Sequence, residues 1–465
     1  MIMQNIHTMI EDFLVNRLGS EDFQNKIYKI YRNLDDKVPR KVSDMIHHLF
    51  VICDQHVDEL LYNKNIDHTK YLDKIKAMVD DIDKDIIKTF NICNNNAIQN
   101  VNTSTRSVDL IDIDKEVISV VKQKYNIGLM QTTSLSKYRN EIVVKNKSIV
   151  ALSIFGQDLR TIPNIIFELK HLKKLYFCWN KLVDIGDTWG NLQHLQEIDL
   201  SCNYIHNYPA SLFSCKNLRE LNLNNNNITN IATHIRCFKN LESLFLDSNE
   251  IKEIDESVSF PGGFKRLSLQ CNQITNINNL IQEINPIVDL NVSMNKIKEI
   301  SPKIKHLKDI SSLFLQNNQI SELPETFGKL RNLKNLNLSD NNLKQLPKCF
   351  FKLKGLRSLG LSQNKFDSFP LVLSGLINLE RLDLSNNKIN TIPVEITELK
   401  KLTSLYLSFN KIEYVPVFLI NLPKLSLLDL TANKIKRIPD EIKDHVKTKI
   451  FRYYLTSAFD NDHKK

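Results

Sequence analysis

The sequence predicts an α/β solenoid, with a parallel β-sheet on the concave face of a horseshoe, preceded by an all-α helical domain. An asparagine recurs every 23 residues, without insertion or deletion, from Asn180 to Asn433. Leucine and isoleucine recur at fixed offsets from each asparagine. Upstream, residues 1–93 place apolar residues at the i, i+3, i+4 spacing that is typical of amphipathic helices.

The array contains thirteen units between residues 149 and 439 when Gln157, 23 residues before Asn180, is counted as a degenerate first member. A fixed period of this length over so many units predicts a stacked repeat architecture. The ladder asparagines are Asn180, Asn203, Asn226, Asn249, Asn272, Asn295, Asn318, Asn341, Asn364, Asn387, Asn410 and Asn433.

One unit shows the full pattern, with Leu379, Leu382 and Leu384 before Asn387 and Ile389 after it. The form L-x-x-L-x-L-x-x-N-x-I-x-x-I-P is that of the leucine-rich repeat. The alternating x-L-x-L-x segment predicts a short strand with its leucines on one face, paired with the same strand of neighbouring units. One unit cannot bury that face alone, so its stability depends on stacking.

Each asparagine stands where the chain leaves the strand. Its carboxamide has two donors and an acceptor, and can therefore satisfy turn backbone groups that the sheet leaves buried. Loss of such a partner costs roughly 1–3 kcal/mol. We therefore interpret the ladder as structural, not catalytic.

The last six units end in an apolar residue followed by proline, as at Ile392-Pro393. They resemble the 23-residue repeats of intracellular Ras-pathway scaffold proteins and their plant and bacterial relatives. The resemblance implies a horseshoe that binds other proteins on its concave face, without indicating which. Units that pass Ile231, Ile254 and Ile277 lack this proline, so we expect an irregular back there.

The predicted organisation has five parts. Residues 1–93 form a helical bundle, and residues 94–109 form a polar linker. Residues 110–148 contribute a helix and the N-terminal cap of the solenoid, because its first core face would otherwise meet water. The repeats fill residues 149–439, and residues 440–465 form a C-terminal helical cap and tail.

Composition favours a soluble chain in a reducing compartment. The eight cysteines include no C-x-x-C pair, and no apolar run approaches the ~20 residues of a membrane span. The first residues lack the basic segment of a signal peptide. We therefore expect a cytoplasmic protein.

Aromatic and methionine side chains interrupt a concave face that is otherwise mostly Ser, Asn and Asp. Such residues, when exposed, are common binding hot spots. Alternatively, some lean onto neighbouring strands. The candidate partner-binding residues are Tyr176, Trp179, Phe245, Met294, Phe314, Tyr406 and Phe409.

Charge on this face disfavours nucleic acid. The chain carries a net charge of +9, yet the most exposed strand positions hold three basic and eight acidic residues. A phosphate-binding surface is basic instead. A separate row of lysines, one after each of the last four ladder asparagines, indicates either an acidic partner or a solvated edge.

No catalytic or metal motif is present. Gly328-Lys329 lacks the first glycine of a phosphate-binding loop. His47, His48, Cys53 and His56 cluster on one predicted helix, but only Cys53 and His56 share a face, so a solvated or packed cluster is favoured. We expect no cofactor and no metal.

Two functional hypotheses follow. The first is a non-catalytic scaffold or adaptor for intracellular signalling that binds a protein on the concave face. The second is an effector-like enzyme of the ubiquitin-ligase type, in which the repeats select the substrate and the Cys53-Asp54 pair acts on it. The sequence leaves the oligomeric state open.

Overall fold

The computed structural model describes residues 110–136, 139–283, 286–442 and 452–454. The helical bundle predicted for residues 1–93, the linker and the cysteine–histidine cluster all lie outside the described residues.

A helix begins the described part of the chain. Helix α1 spans Asp112–Tyr125 and ends at Asn126, whose φ of 54° is the left-handed conformation that often terminates helices. It carries acidic residues in its first turn and lysines in its last turn, as the helix dipole favours. Val117 and Val121 are fully buried in the core of the solenoid, so the helix covers its first units.

Three strands complete this end: β1 (Met130–Thr132), β2 (Glu141–Lys145) and β3 (Ser148–Ser153). Strands β2 and β3 pair antiparallel. The turn between them contains Asn146 and Lys147, both with positive φ, as tight hairpin turns require.

One sheet of 16 strands runs through the array, and strands adjacent in sequence are adjacent in the sheet. Equivalent residues pair in register, as in Leu382 with Leu405 and Leu405 with Leu428. Pairing beyond β3 is parallel, as the 23-residue period predicts. The remaining strands are β4 (Lys174–Tyr176), β5 (Glu197–Asp199), β6 (Glu220–Asn222), β7 (Ser243–Phe245), β8 (Arg266–Ser268), β9 (Asp289–Asn291), β10 (Ser312–Phe314), β11 (Asn335–Asn337), β12 (Ser358–Gly360), β13 (Arg381–Asp383), β14 (Ser404–Tyr406), β15 (Leu427–Asp429) and β16 (Arg452–Tyr454).

Short helices form the back of the solenoid, mostly of the 3-10 type. From Pro324 to Pro416, each repeat proline is directly followed by a five-residue 3-10 helix, as after Pro393. Residues 440–442, after Pro439, are α-helical instead. The helices are Asn164–Glu168, Trp189–Asn191, Ala210–Ser214, Ile235–Cys237, Pro302–His306, Glu325–Lys329, Lys348–Lys352, Leu371–Gly375, Val394–Glu398 and Val417–Asn421, together with the α-helix α2 (Asn278–Glu283).

The back is irregular in the middle units, where the proline is missing. Ile235–Cys237 is only three residues long, and Asn278–Glu283 is α-helical. Between them, residues 251–263 contain turns but no helix. Proline fixes the backbone that starts a helical turn, so its absence leaves these segments less uniform.

The sequence predicts a C-terminal helical cap and tail over residues 440–465. Residues 440–442 are helical, and Arg452–Tyr454 is a strand that pairs in parallel with β15. Pairing at this edge satisfies backbone groups that β15 would otherwise leave open, which a helix could not do.

The asparagine ladder connects each unit to the one before it. Asn410 illustrates the pattern: its Oδ1 accepts the backbone N–H of Ile389 at 2.9 Å. Its Nδ2 donates to the carbonyl of Leu384 in the preceding unit, at 2.9 Å. The same Nδ2 lies 3.1 Å from the carbonyl oxygen of Leu407 in its own unit. Eleven ladder asparagines are buried, and Asn433 in the last unit is half-buried.

Candidate protein-binding surface

The strand face is the surface formed by the first and third residues of each strand, because the central residue points into the core, together with the turn residues between each strand and its ladder asparagine. Along this face, third residues of neighbouring strands stand side by side, as in Asp383, Tyr406 and Asp429. Strands lie ~4.8 Å apart, so each contributes one closely spaced step of a continuous column.

Near the C-terminal end of this face, a guanidinium covers an aromatic ring. The Cζ of Arg381 lies 4.7 Å from the ring centroid of Tyr406, within the range of a cation–π contact. Burial is the main cause that raises the pKa of the Tyr406 hydroxyl, and Arg381 opposes it. Burial likewise raises the pKa of the Asp383 carboxyl, against hydrogen bonds from Ser385 that lower it.

Phe409 is the most exposed of the predicted partner-binding residues. Its side chain is 58% exposed, and its backbone φ is +54°. Bulky residues rarely adopt this left-handed conformation, which costs of order 1–3 kcal/mol when held in place. Phe409 therefore combines exposed apolar surface with an unfavourable backbone conformation.

The left-handed conformation is shared by the residue before every ladder asparagine. Sequence reasoning missed this row, although its frequent Asn, Asp and Ser are the residues that tolerate positive φ. Trp179, Met294 and Phe409 are the bulky exceptions. The row consists of Gly156, Trp179, Cys202, Asn225, Ser248, Cys271, Met294, Asn317, Asp340, Gln363, Asn386, Phe409 and Ala432.

Tyr176 is not solvent-facing, and the expectation that it is exposed was wrong. Its side chain is 4% exposed, and its hydroxyl donates to the carboxylate of Glu197. Burial, together with that carboxylate, raises the pKa of the Tyr176 hydroxyl. Lys174 also contacts Glu197, at 2.5 Å. Tyr176 lies across its neighbours because Glu197 on the next strand provides a partner for its hydroxyl.

Trp179 is half-buried, and its ring lies 6.5 Å from that of Phe155. Phe245, Phe314 and Met294 are also half-buried. Part of the surface of each of these side chains is therefore accessible.

The structure does not bring the seven predicted residues together. Tyr176 lies on β4 and Tyr406 on β14, ten strand spacings apart in the sheet. At ~4.8 Å per spacing, about 48 Å separates them. Tyr176 and Trp179 also share a unit, but Tyr176 is buried. Phe409 is exposed in the same unit as Tyr406, whose ring Arg381 covers, so these residues form the best-defined patch. We call Arg381, Tyr406 and Phe409 the aromatic patch.

No alternative chemistry emerges from the described residues. Among them, no group of three or more His, Cys, Asp and Glu side chains could hold a metal ion. The glycine of Gly328-Lys329 has a packing role, since a Cβ there would lie 2.6 Å from the backbone oxygen of Cys349. No helix in the described ranges is long and apolar enough to cross a membrane.

Comparisons with known proteins agree with the repeat pattern. The family model for leucine rich repeats matches residues 170–228, 193–251, 308–366 and 370–412. No curated protein matches the chain.

Among solved structures, a leucine-rich repeat protein of Leptospira interrogans is 31% identical with a TM-score of 0.57, over 66% of this chain and 84% of that chain. An internalin of Listeria monocytogenes is 19% identical with a TM-score of 0.59, over 76% and 99%. A complex of TLR13 with ssRNA13 is 22% identical with a TM-score of 0.57, over 71% and 50%. The chain belongs to the leucine-rich repeat family.

Proposed function

We propose that this chain is a non-catalytic adaptor that binds a protein partner on its strand face, with the aromatic patch at the centre of the contact. Leucine-rich repeat proteins are generally interaction scaffolds, and this supports the general class. The position of the contact rests on this chain's own residues.

The exposure of Phe409 carries the proposal. Its side chain is 58% exposed on a backbone with φ +54°, where Asn386 occupies the same position in the preceding unit. An asparagine is tolerated there far better than a phenylalanine. Folding therefore does not explain the choice of residue, whereas burial of a large aromatic side chain under a partner does.

The neighbours of Phe409 suit a protein ligand. Tyr and Arg are enriched at interface hot spots, and Arg381 already lies over the ring of Tyr406. This contact holds both side chains in one arrangement before binding, which reduces the entropy lost when a partner docks.

The similarity to the TLR13–ssRNA13 complex raises nucleic acid as an alternative ligand. Here Asp383 and Asp429 flank Tyr406 in the same column. Their carboxylates would repel phosphates at the contact, whereas nucleic-acid sites are basic. We therefore propose a protein partner and no nucleic acid.

The proposed compartment is the cytoplasm. All six cysteines among the described residues are free thiols. Unpaired cysteines are typical of reducing compartments, where disulfides rarely persist.

Affinity capture with the full chain tests this function. The bait proteins are the wild type, Phe409→Asn and the matched control Ala432→Asn, which changes the same position in the next unit. We expect a protein captured by the wild type and the control, lost with Phe409→Asn, and insensitive to nuclease. Capture that depends on nuclease-sensitive nucleic acid, or that is equal for all three baits, would contradict the proposal.

A further inference from the structure

The last four units carry a row of lysines along one edge. Each follows a ladder asparagine, and each side chain is exposed. Their backbone N–H groups all donate to the equivalent carbonyl of the preceding unit, at 2.8–2.9 Å. The four side chains therefore leave the solenoid from equivalent points, one unit apart. This lysine row consists of Lys365, Lys388, Lys411 and Lys434.

The ammonium groups of the lysine row form no salt bridge among the described residues, so their charge can interact with a ligand. Other edge lysines are paired: Lys181 with Asp158 at 3.4 Å and Lys436 with Glu413 at 2.6 Å. The hydrogen bond from Lys436 is the main cause that lowers the pKa of Glu413. The charge of Lys434 lowers this pKa further without a hydrogen bond.

A second row, on the back of three of these units, is apolar. Leu371, Val394 and Val417 are 56%, 55% and 38% exposed. Each is the first residue of a 3-10 helix and follows the repeat proline. They stand 23 residues apart, so they also occupy equivalent points. We call these three residues the apolar row.

Fold stability does not explain the apolar row. At the same position in two earlier units, a carboxylate bonds to the next unit: Asp187 accepts the N–H of Ser211 at 3.0 Å, and Glu325 accepts the N–H of Lys348 at 3.1 Å. Aliphatic side chains cannot make this bond. In the other units this position holds Asn164, Asp187, Ala210, Thr233, Glu256, Asn279, Pro302, Glu325, Lys348 and Asp440.

The two rows run side by side. In each shared unit, five residues lie between the lysine and the aliphatic residue, as between Lys388 and Val394. The six residue steps from one to the other span at most about 20 Å. Between the rows lies Tyr414, which is 65% exposed. The surface therefore has one cationic border, one apolar border and an exposed aromatic side chain between them.

We propose that this surface docks an acidic amphipathic helix of a partner protein. One turn of a helix rises ~5.4 Å, close to the ~4.8 Å between strands, so successive turns stay in step with successive units. The diameter of a helix, about 10–12 Å, is below the upper limit on the distance between the borders, and the helix would turn carboxylates towards the lysine row and aliphatic residues towards the apolar row. Nucleic acid offers no aliphatic face for Leu371, Val394 and Val417.

This surface is separate from the strand face, so the chain would hold two partners at once. A peptide selection on the immobilised full chain tests the idea, using a displayed library of helical peptides. We expect the enriched peptides to carry Asp or Glu on one flank and Leu, Ile or Val at i, i+4 and i+7 on the other.

Titration of the best enriched peptide then tests the location. The double variant Lys388→Glu/Lys411→Glu and the variant Val394→Ser should each weaken binding about 10-fold or more. Two matched controls should bind like the wild type: Lys296→Glu, which changes the same position in an earlier unit, and Val183→Ser, whose side chain is also 55% exposed.

Several outcomes would overturn the proposal. Enriched peptides could lack acidic residues, or their binding could survive changes in either row. Binding lost with Phe409→Asn instead would place the peptide on the strand face. Flotation of the chain with vesicles of phosphatidylcholine and phosphatidylserine, abolished by the double lysine variant, would identify an anionic membrane as the ligand.

Discussion

Asn410 accepts the backbone N–H of Ile389, a residue of the preceding unit, at 2.9 Å. One carboxamide thus joins two units where the strand ends and the turn begins. The bond recurs at equivalent residues, as between Asn387 and Phe366. The 23-residue period is therefore a period of hydrogen bonds as well as of leucines.

Replacing Asn410 by alanine should destabilise the solenoid by at least about 1–3 kcal/mol, because the buried N–H of Ile389 loses its acceptor. Carbonyls of Leu384 and Leu407 lose a donor too. The midpoint of chemical unfolding measures the change. The control Asn390→Ala alters an exposed asparagine and should leave the midpoint in place. Equal midpoints for the two variants would refute a structural ladder.

The pairing of Leu382 with Leu405 is a feature that the sequence predicts correctly. The period dictates that register, since any slip would turn the leucines away from the core. It also dictates which side chains reach the strand face. The period does not determine how each of these side chains packs. Tyr176 is buried and donates to Glu197, whereas Phe409 is exposed. That outcome depends on contacts between units, which the repeat pattern does not contain.

Asp114 offers a test through pH. This buried carboxylate accepts the N–H of Ile149, and burial raises its pKa despite that bond and the influence of His171. Because its pKa is raised in the folded state, the contribution of this carboxyl group to the free energy of unfolding is fully present below the unfolded pKa of ~3.9. That contribution is lost as pH rises through the folded pKa.

Asp114→Asn should therefore stabilise the protein at neutral pH, because an amide keeps an acceptor for Ile149 without a buried charge. The gain should disappear in acid, below the unfolded pKa of the carboxyl. Unfolding midpoints across the acid range measure it, with the exposed Asp112→Asn as the control. A variant that is less stable than the wild type at neutral pH would show that the charge itself is needed.

Gly328 tests the packing of the back. A Cβ at this position would lie 2.6 Å from the backbone oxygen and 2.8 Å from the Cβ of Cys349. Gly328→Ala should cost roughly 1–3 kcal/mol, as overpacking does. Gly262→Ala is the matched control, because no atom lies within 4 Å of its added Cβ. Thermal unfolding that does not separate the two variants would argue against tight packing between these units.

Cysteine reactivity tests the burial pattern. Burial raises the pKa of the Cys215 thiol to about 12, whereas Cys237 is exposed. Since the thiolate is the reactive form, iodoacetamide should label Cys237 in the native protein and Cys215 only after unfolding. Mass spectrometry of the labelled peptides reads this directly. Early labelling of Cys215 would mean that the core between these units opens readily.

The most direct test of the central claim is a paired measurement on Phe409→Asn: its affinity for the captured partner and its unfolding midpoint. Asparagine suits the φ of +54° at this position, so stability should stay the same or rise. Affinity should fall about 10-fold or more, as expected when an aromatic hot spot is lost. Unchanged affinity with intact stability would contradict the claim that the aromatic patch holds the partner.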